Sequence, residues 1–203
     1  MKKHQNIYQR KEPVQERSKL MVEDIIEAAN IVLLDEGLDN FNTNRVAEVA
    51  GVSIGSLYQY FPSKESLLFQ LQRKEIATTW KQINDLLENK DVAPQQRLES
   101  AIYLFFKSES QEFALRNGLE CADVYFDKMQ EYQELEDRVI QKLSNFLSQV
   151  SSNKSVDIKS QAELIFIVTT ALANRVTQQK ITLDDLQKWS KICSDLLCGY
   201  LNL

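Results

Sequence analysis

An all-α fold follows from three observations. Only five glycines and three prolines occur in 203 residues, apolar residues recur at three- and four-residue spacing along most of the chain, and the breaks carry residues suited to helix ends. Tight turns lean on Gly and Pro, so their scarcity favours long helices over an all-β architecture. An apolar fraction of 43% supports a packed core. About nine helices are expected, divided into an N-terminal part (1–63) and a larger helical bundle (64–203).

Taken in order, Val14, Met21, Ile25, Ala28 and Val32 form one apolar face of a first helix. It ends near Glu36, and Gly37 suits the left-handed position that follows a helix. Thr43 to Ala50 reads as a helix of two turns, Gly51-Val52-Ser53 as a turn, and Ile54 to Phe61 as a second short helix capped by Ser53. Pro62-Ser63 ends it. Ser63 caps a long fourth helix from Lys64 to about Asn89, whose apolar side holds Leu67, Leu71, Trp80, Ile83 and Leu87. Pro94 stands in the first turn of the next helix, where a missing N–H costs nothing. Further helical stretches are Phe113–Tyr125 and Glu131–Val150, with Ser151–Ser155 as a loop. Residues 158–176 and 183–201 give the last two helices, the second opened by Thr182 and Asp185 in a capping box.

Composition removes several functions. The single histidine, His4, lies in a polar tail, which leaves no Ser-His-Asp or Cys-His arrangement and no His-rich zinc site. Cys121, Cys193 and Cys198 contain no CxxC pair and fit free thiols in a reducing cytoplasm. There is no phosphate loop and no cofactor fingerprint, so neither an enzyme nor a bound cofactor or metal is expected. The longest apolar stretch, near Ala162–Ala173, is too short and too polar to span a membrane. The expected location is therefore cytoplasmic. Net charge is −5, yet residues 1–20 hold six basic against two acidic side chains, an arm able to approach a polyanion or simply to stand in solvent.

Residues 43–62 carry the function. A helix-turn-helix needs a small residue where its helices cross, a residue tolerant of positive φ in the turn, and apolar pins. Ala47, Gly51, and Val46, Ala50, Val52 and Leu57 meet those needs. With Leu57 and Phe61 facing inward, the second helix leaves Ile54, Gly55, Ser56, Tyr58, Gln59 and Tyr60, none of them acidic. Small residues let the backbone approach a duplex. The tyrosines can reach phosphate or a thymine methyl, and Gln59 can bond a base edge. Tyr60 can equally pack inward, given its spacing from Leu57, and Tyr58 can be a partly buried ring. Ser53 completes the candidate surface. Thr43 and Lys64 stand at helix N-termini, which attract anions, and both read as phosphate anchors. Arg45 either contacts DNA or pairs with Glu48 or Asp39.

The run Gly51-Val52-Ser53-Ile54-Gly55-Ser56-Leu57-Tyr58-Gln59-Tyr60-Phe61-Pro62-Ser63-Lys64-Glu65-Ser66-Leu67-Leu68 resembles the N-terminal signature of the TetR/AcrR family of transcriptional regulators, a likeness that covers residues 17–70. The resemblance implies a cytoplasmic homodimer that binds an operator through its first three helices and a small molecule through the rest, most often as a repressor released by that ligand. By position it gives Thr43 and Lys64 phosphate contacts, Ile54, Gly55, Tyr58 and Tyr60 contacts on the reading helix, and Arg45 a place near backbone or bases. Ile54 departs from the pattern, being apolar where a base-reading residue can sit. Methyl contact or DNA shape would then replace a hydrogen bond.

The bundle is rich in rings, either as core or as the lining of a pocket for an apolar or aromatic ligand. Candidate lining residues are Trp80, Tyr103, Phe106, Phe113, Tyr125 and Phe166, with Asn117, Cys121, Thr169 and Thr170 as polar groups. The wide apolar faces of 158–176 and 183–201 predict a homodimer through a four-helix interface. The rival function is a small-molecule sequestering protein of the same fold that does not bind an operator.

Overall fold

The computed structural model describes residues 15–118, 130–150, 157–178 and 181–203, together with Arg10; of 112–118 and 130–132 it describes the backbone only. Eight helices occupy the described residues: α1 (Glu16–Asn40), α2 (Thr43–Val49), α3 (Ile54–Tyr60), α4 (Lys64–Glu88), α5 (Pro94–Gly118), α6 (Gln130–Val150), α7 (Ile158–Thr177) and α8 (Leu183–Leu201). The all-α expectation holds, with eight helices here against about nine. The separate helix expected from Phe113 begins as the end of α5, and its remainder lies outside the described residues, as does the loop expected at Ser151–Ser155. The chain divides into two compact units, with breaks in α4 between Glu75 and Ile76 and in α5 between Phe113 and Ala114, the end of α5 being grouped with the first unit.

The first unit is built on α1, α2, α3 and the start of α4. Ile25, Leu57, Phe61, Leu68 and Phe69 have no exposed surface, and Phe41 and Leu67 have almost none. Each such side chain contributes about 1.5–3 kcal/mol by leaving water. The helix breaks follow local chemistry. Gly37 interrupts α1 at φ 73°, close to the expected end at Glu36, and a last turn then runs to Asn40. The Asn42 side chain accepts from the Arg45 N–H at 2.9 Å and starts α2. Ser53 Oγ accepts from the Ser56 N–H at 3.0 Å and starts α3. Ser63 Oγ accepts from the Ser66 N–H at 3.2 Å at the head of α4, while the Ser66 hydroxyl donates to the Ser63 carbonyl at 2.7 Å.

Between α2 and α3, Ala47 is 3% exposed, so the two helices can approach closely. Gly51 turns the chain at φ 66°, and the Val52 N–H donates to the Ala47 carbonyl at 3.0 Å. A Cβ at Gly51 would meet nothing within 4 Å, so backbone strain alone opposes a side chain there. Gly51→Ala is expected to cost about 1–2 kcal/mol, the left-handed penalty, and to lower Tm by a few degrees. Thermal unfolding followed by circular dichroism checks this, and an unchanged Tm would show that the turn does not hold its positive φ in solution.

The second unit packs the later half of α4 with α5, α6, α7 and α8. Phe106, Leu147, Ala162, Ala173 and Cys193 are wholly buried within one continuous core. Trp80 lies with its ring centroid 5.5 Å from Phe105 and 6.5 Å from Phe166. Arg97 is buried without a carboxylate partner among the described residues. Its Nη1 donates to the Leu87 carbonyl at 2.9 Å, closing the end of α4, and its guanidinium lies 5.1 Å from the Phe146 ring centroid. Asp157 caps α7 through the Lys159 and Ser160 N–H groups, and Thr182 caps α8 by accepting from Asp185 at 3.1 Å. The Thr182 hydroxyl also donates to the Asp185 carboxylate at 2.8 Å, a side-chain link in place of the bond from the Thr182 N–H to Asp185 that a capping box requires.

Candidate nucleic-acid interface

The seven residues of α3 bear no formal charge, and its core side is fixed by Leu57. That registers Ile54, Gly55, Tyr58 and Gln59 on the exposed side, with Ser56 half-buried. Tyr58 is 40% exposed. Its phenolic oxygen lies 3.0 Å from Thr43 Oγ1, so the first residue of α2 steadies the ring of α3. Sequence reasoning missed this pairing, although its signal is a hydroxyl at the head of α2 and a tyrosine in the helix that α2 crosses. Thr43 itself is nearly buried, and its hydroxyl serves Tyr58, where a phosphate contact was expected.

Tyr60 requires a correction. Its residue is 6% exposed, because a position three after Leu57 on a helix falls on the same side as Leu57. The ring belongs to the core of the first unit and is withdrawn as a DNA contact. Its carbonyl still marks the edge of the surface: it accepts the Arg10 N–H at 2.8 Å, which brings one residue of the basic arm to the end of α3.

Arg45 is held by two carboxylates, with Nε 2.5 Å from Glu36 and Nη1 2.7 Å from Glu48. The hydrogen bonds and charges of Glu36 and Glu48 raise its pKa further above the ordinary value. Of the pairs expected, Glu48 is present; Glu36 takes the place of Asp39, brought near by the Gly37 break. Lys64 is exposed at the first position of α4, with no ion-pair partner among the described residues. Ser53 is occupied as the cap, its Oγ 2.8 Å from Ser56 Oγ.

In the second unit, Trp80, Phe166, Thr169 and Thr170 line one apolar hollow. Two of the expected rings lie elsewhere. Phe106 has no exposed surface and Tyr103 packs against the core, and neither lines that hollow; Phe105 does. Adjacent residues on a helix diverge by about 100°, so one of two neighbouring phenylalanines faces the hollow and the other the core. The side chains of Phe113 and Asn117, and Cys121 and Tyr125 altogether, lie outside the described residues. Thr170 donates its hydroxyl to the Phe166 carbonyl at 2.8 Å. Thr169 Oγ1 has no oxygen or nitrogen partner and sits beside the Cys193 thiol, whose pKa burial pushes up. Among the described residues no group of His, Cys, Asp or Glu could hold a metal ion, and no helix is long and apolar enough to cross a membrane.

An uncharged, outward-facing helix after a glycine turn defines the helix-turn-helix class. Residues 25–71 match the family described as bacterial regulatory proteins of the tetR family. An HTH-type transcriptional regulator of Staphylococcus aureus (strain USA300) is 28% identical over 112 residues, which covers 54% of this chain and 57% of that one. The chain spans about half the length of the curated relatives it matches. A TetR-family regulator structure from Mesorhizobium loti covers 92% of this chain and 98% of its own, at 15% identity and a TM-score of 0.66. SmeT, the repressor of a multidrug efflux pump in Stenotrophomonas maltophilia, covers 91% of this chain and 92% of its own, at 16% identity and a TM-score of 0.59. At those identities the likeness concerns the fold. Residues 25–71 thus match a TetR-family N-terminal domain, and the helical architecture is that of TetR-family structures.

Proposed function

We propose that the protein is a cytoplasmic, sequence-specific transcriptional regulator, a repressor that a small molecule releases from DNA. The observation that carries the reading is α3. It turns Ile54, Gly55, Tyr58 and Gln59 outward on an uncharged helix, with Tyr58 braced by Thr43. In the major groove Gly55 admits the sugar–phosphate backbone, Gln59 addresses a base edge, and Ile54 rests on thymine methyl groups. Lys64 adds a phosphate contact. In this reading residues 1–63 read DNA and 64–203 bind ligand and partner.

Two copies are joined through α7 and α8. Leu164 and Ile167 on the first, and Trp189, Ile192, Leu196 and Tyr200 on the second, are exposed on a single chain. On α8 these four recur at three- and four-residue spacing, one stripe that a second copy covers. Two reading helices then meet half-sites about 34–36 Å apart. Two hollows that share Trp80, Ile83 and Val139 as lining, one of them reaching Phe105, Phe166 and Thr169, receive the small molecule. Because α4 is one continuous helix from Lys64 to Glu88, it runs from the reading unit into the ligand unit. A ligand-driven shift in α4 needs only about 1–3 kcal/mol of coupling to weaken DNA binding 5- to 150-fold.

Gel shifts and selection of bound fragments from genomic DNA test the reading. Retention of a recurrent two-fold-symmetric sequence supports it. Binding of small molecules by a folded protein that selects no sequence would replace it with a sequestering role. Lys64→Ala is expected to weaken binding to all sequences alike and to lower the slope of log K against log salt by about one unit. An unchanged slope removes Lys64 from the phosphate contacts.

A further inference from the structure

In the second unit, two hollows share Trp80, Ile83, Leu87, Val139 and Leu143 as lining. The inner one, of about 40 Å³, continues to Phe105, Phe166 and Thr169 and is almost wholly apolar. The outer one, of about 260 Å³, lies along α4 and α6, and its polar lining is Lys81, Asn84, Arg138 and Lys142. No acidic side chain lines the outer hollow among the described residues, in a protein with 29 acidic against 24 basic residues. All three basic side chains are exposed at the rim, and Lys142 reaches Glu88 just beyond it at 2.9 Å.

We infer that the ligand of this unit is an anionic amphiphile, with an apolar chain or ring system along Trp80, Ile83, Val139 and Leu143 and a single anionic head at Lys81, Arg138 and Lys142. The inference rests on the reading that this unit binds a small molecule, and it supplies the chemical class. Apolar walls take up the tail by excluding water. Those same walls, being of low polarity, strengthen the field of Lys81 and Arg138, and Lys142 joins them by sharing its charge between Glu88 and the head. A guanidinium offers a planar donor pair that matches a carboxylate or phosphate, and the lysines add point charges. A cationic head would meet like charge there, and an uncharged head would forgo the attraction. Carboxylate and phosphate heads share this chemistry.

Titration calorimetry on the full chain tests it with four ten-carbon probes below their micelle concentrations: decanoate, decyl phosphate, decan-1-ol and decyltrimethylammonium. Both anions are expected to bind at least tenfold more tightly than the alcohol, and the ammonium compound most weakly. Whichever anion is tighter names the head. A variant with Arg138→Gln and Lys142→Gln should lose the preference for anions yet keep its affinity for the alcohol. Both positions are exposed, so the fold should persist, as circular dichroism will verify. The inference is overturned if the alcohol or the ammonium compound binds as tightly as the anions, if the anion preference survives the double substitution, or if neither anion binds. DNA selection by the same preparation is read separately, so a failure of the regulator reading and a failure of this one remain distinct.

Discussion

Leu196→Glu is expected to yield a folded monomer that no longer holds an operator. Leu196 is 62% exposed on a single chain and belongs to the stripe of Trp189, Ile192 and Tyr200 on α8, so its replacement disturbs little within the chain. In a four-helix interface the same site would be sealed, and a carboxylate taken out of water there without a cation is strongly unfavourable. Sedimentation at micromolar protein should show the mass halved, with the circular dichroism of the wild type. Operator affinity should fall by more than 100-fold, because a monomer reads one half-site and loses the effective concentration of the second. A dimer that persists in Leu196→Glu would place the partner on another surface.

Tyr58 provides the second large effect. Tyr58→Ala removes a half-exposed ring from the centre of the outward face of α3, together with the hydroxyl that Thr43 steadies at 3.0 Å. A loss of about 10- to 100-fold in operator affinity is expected, in the range of about 1–3 kcal/mol for one good base contact. Ligand affinity should be unchanged. Tyr58→Phe and Thr43→Val break the same hydrogen bond from opposite ends. Their effects should therefore fail to add in a double-mutant cycle. Fluorescence anisotropy on operator DNA measures all four proteins. Equal losses of operator and ligand binding in Tyr58→Ala would indicate a folding defect and remove Tyr58 from the reading surface.

Much of the fold was legible because helix ends are local chemistry. Ser53, Ser63 and Thr182 each cap the helix that follows, and Gly37 and Gly51 each take the positive φ that their positions demand. The turn between α2 and α3 was legible for the same reason, with Ala47 at the crossing. Phase around a helix was harder to read. Tyr60 follows Leu57 by three residues and could have fallen on either side of the boundary; packing against the first unit's core decided it. Phe105 and Phe106 are indistinguishable as residue types, and only the register of α5 tells which meets Trp80. Long-range polar pairs left no local trace. Glu36 reaches Arg45 because α1 breaks at Gly37, and Arg97 reaches the Leu87 carbonyl across the link between α4 and α5.

The clamp on Arg45 bears on how such a head would search a genome. With its guanidinium already engaged by Glu36 and Glu48, and with α3 uncharged, the grip on arbitrary sequence falls to Lys64 and to the six basic side chains of residues 1–20. Most of the sequence-independent hold of a protein on DNA comes from cation–phosphate pairs. A head of this build would hold unrelated DNA mainly through that arm, and the hold would weaken steeply as salt rises.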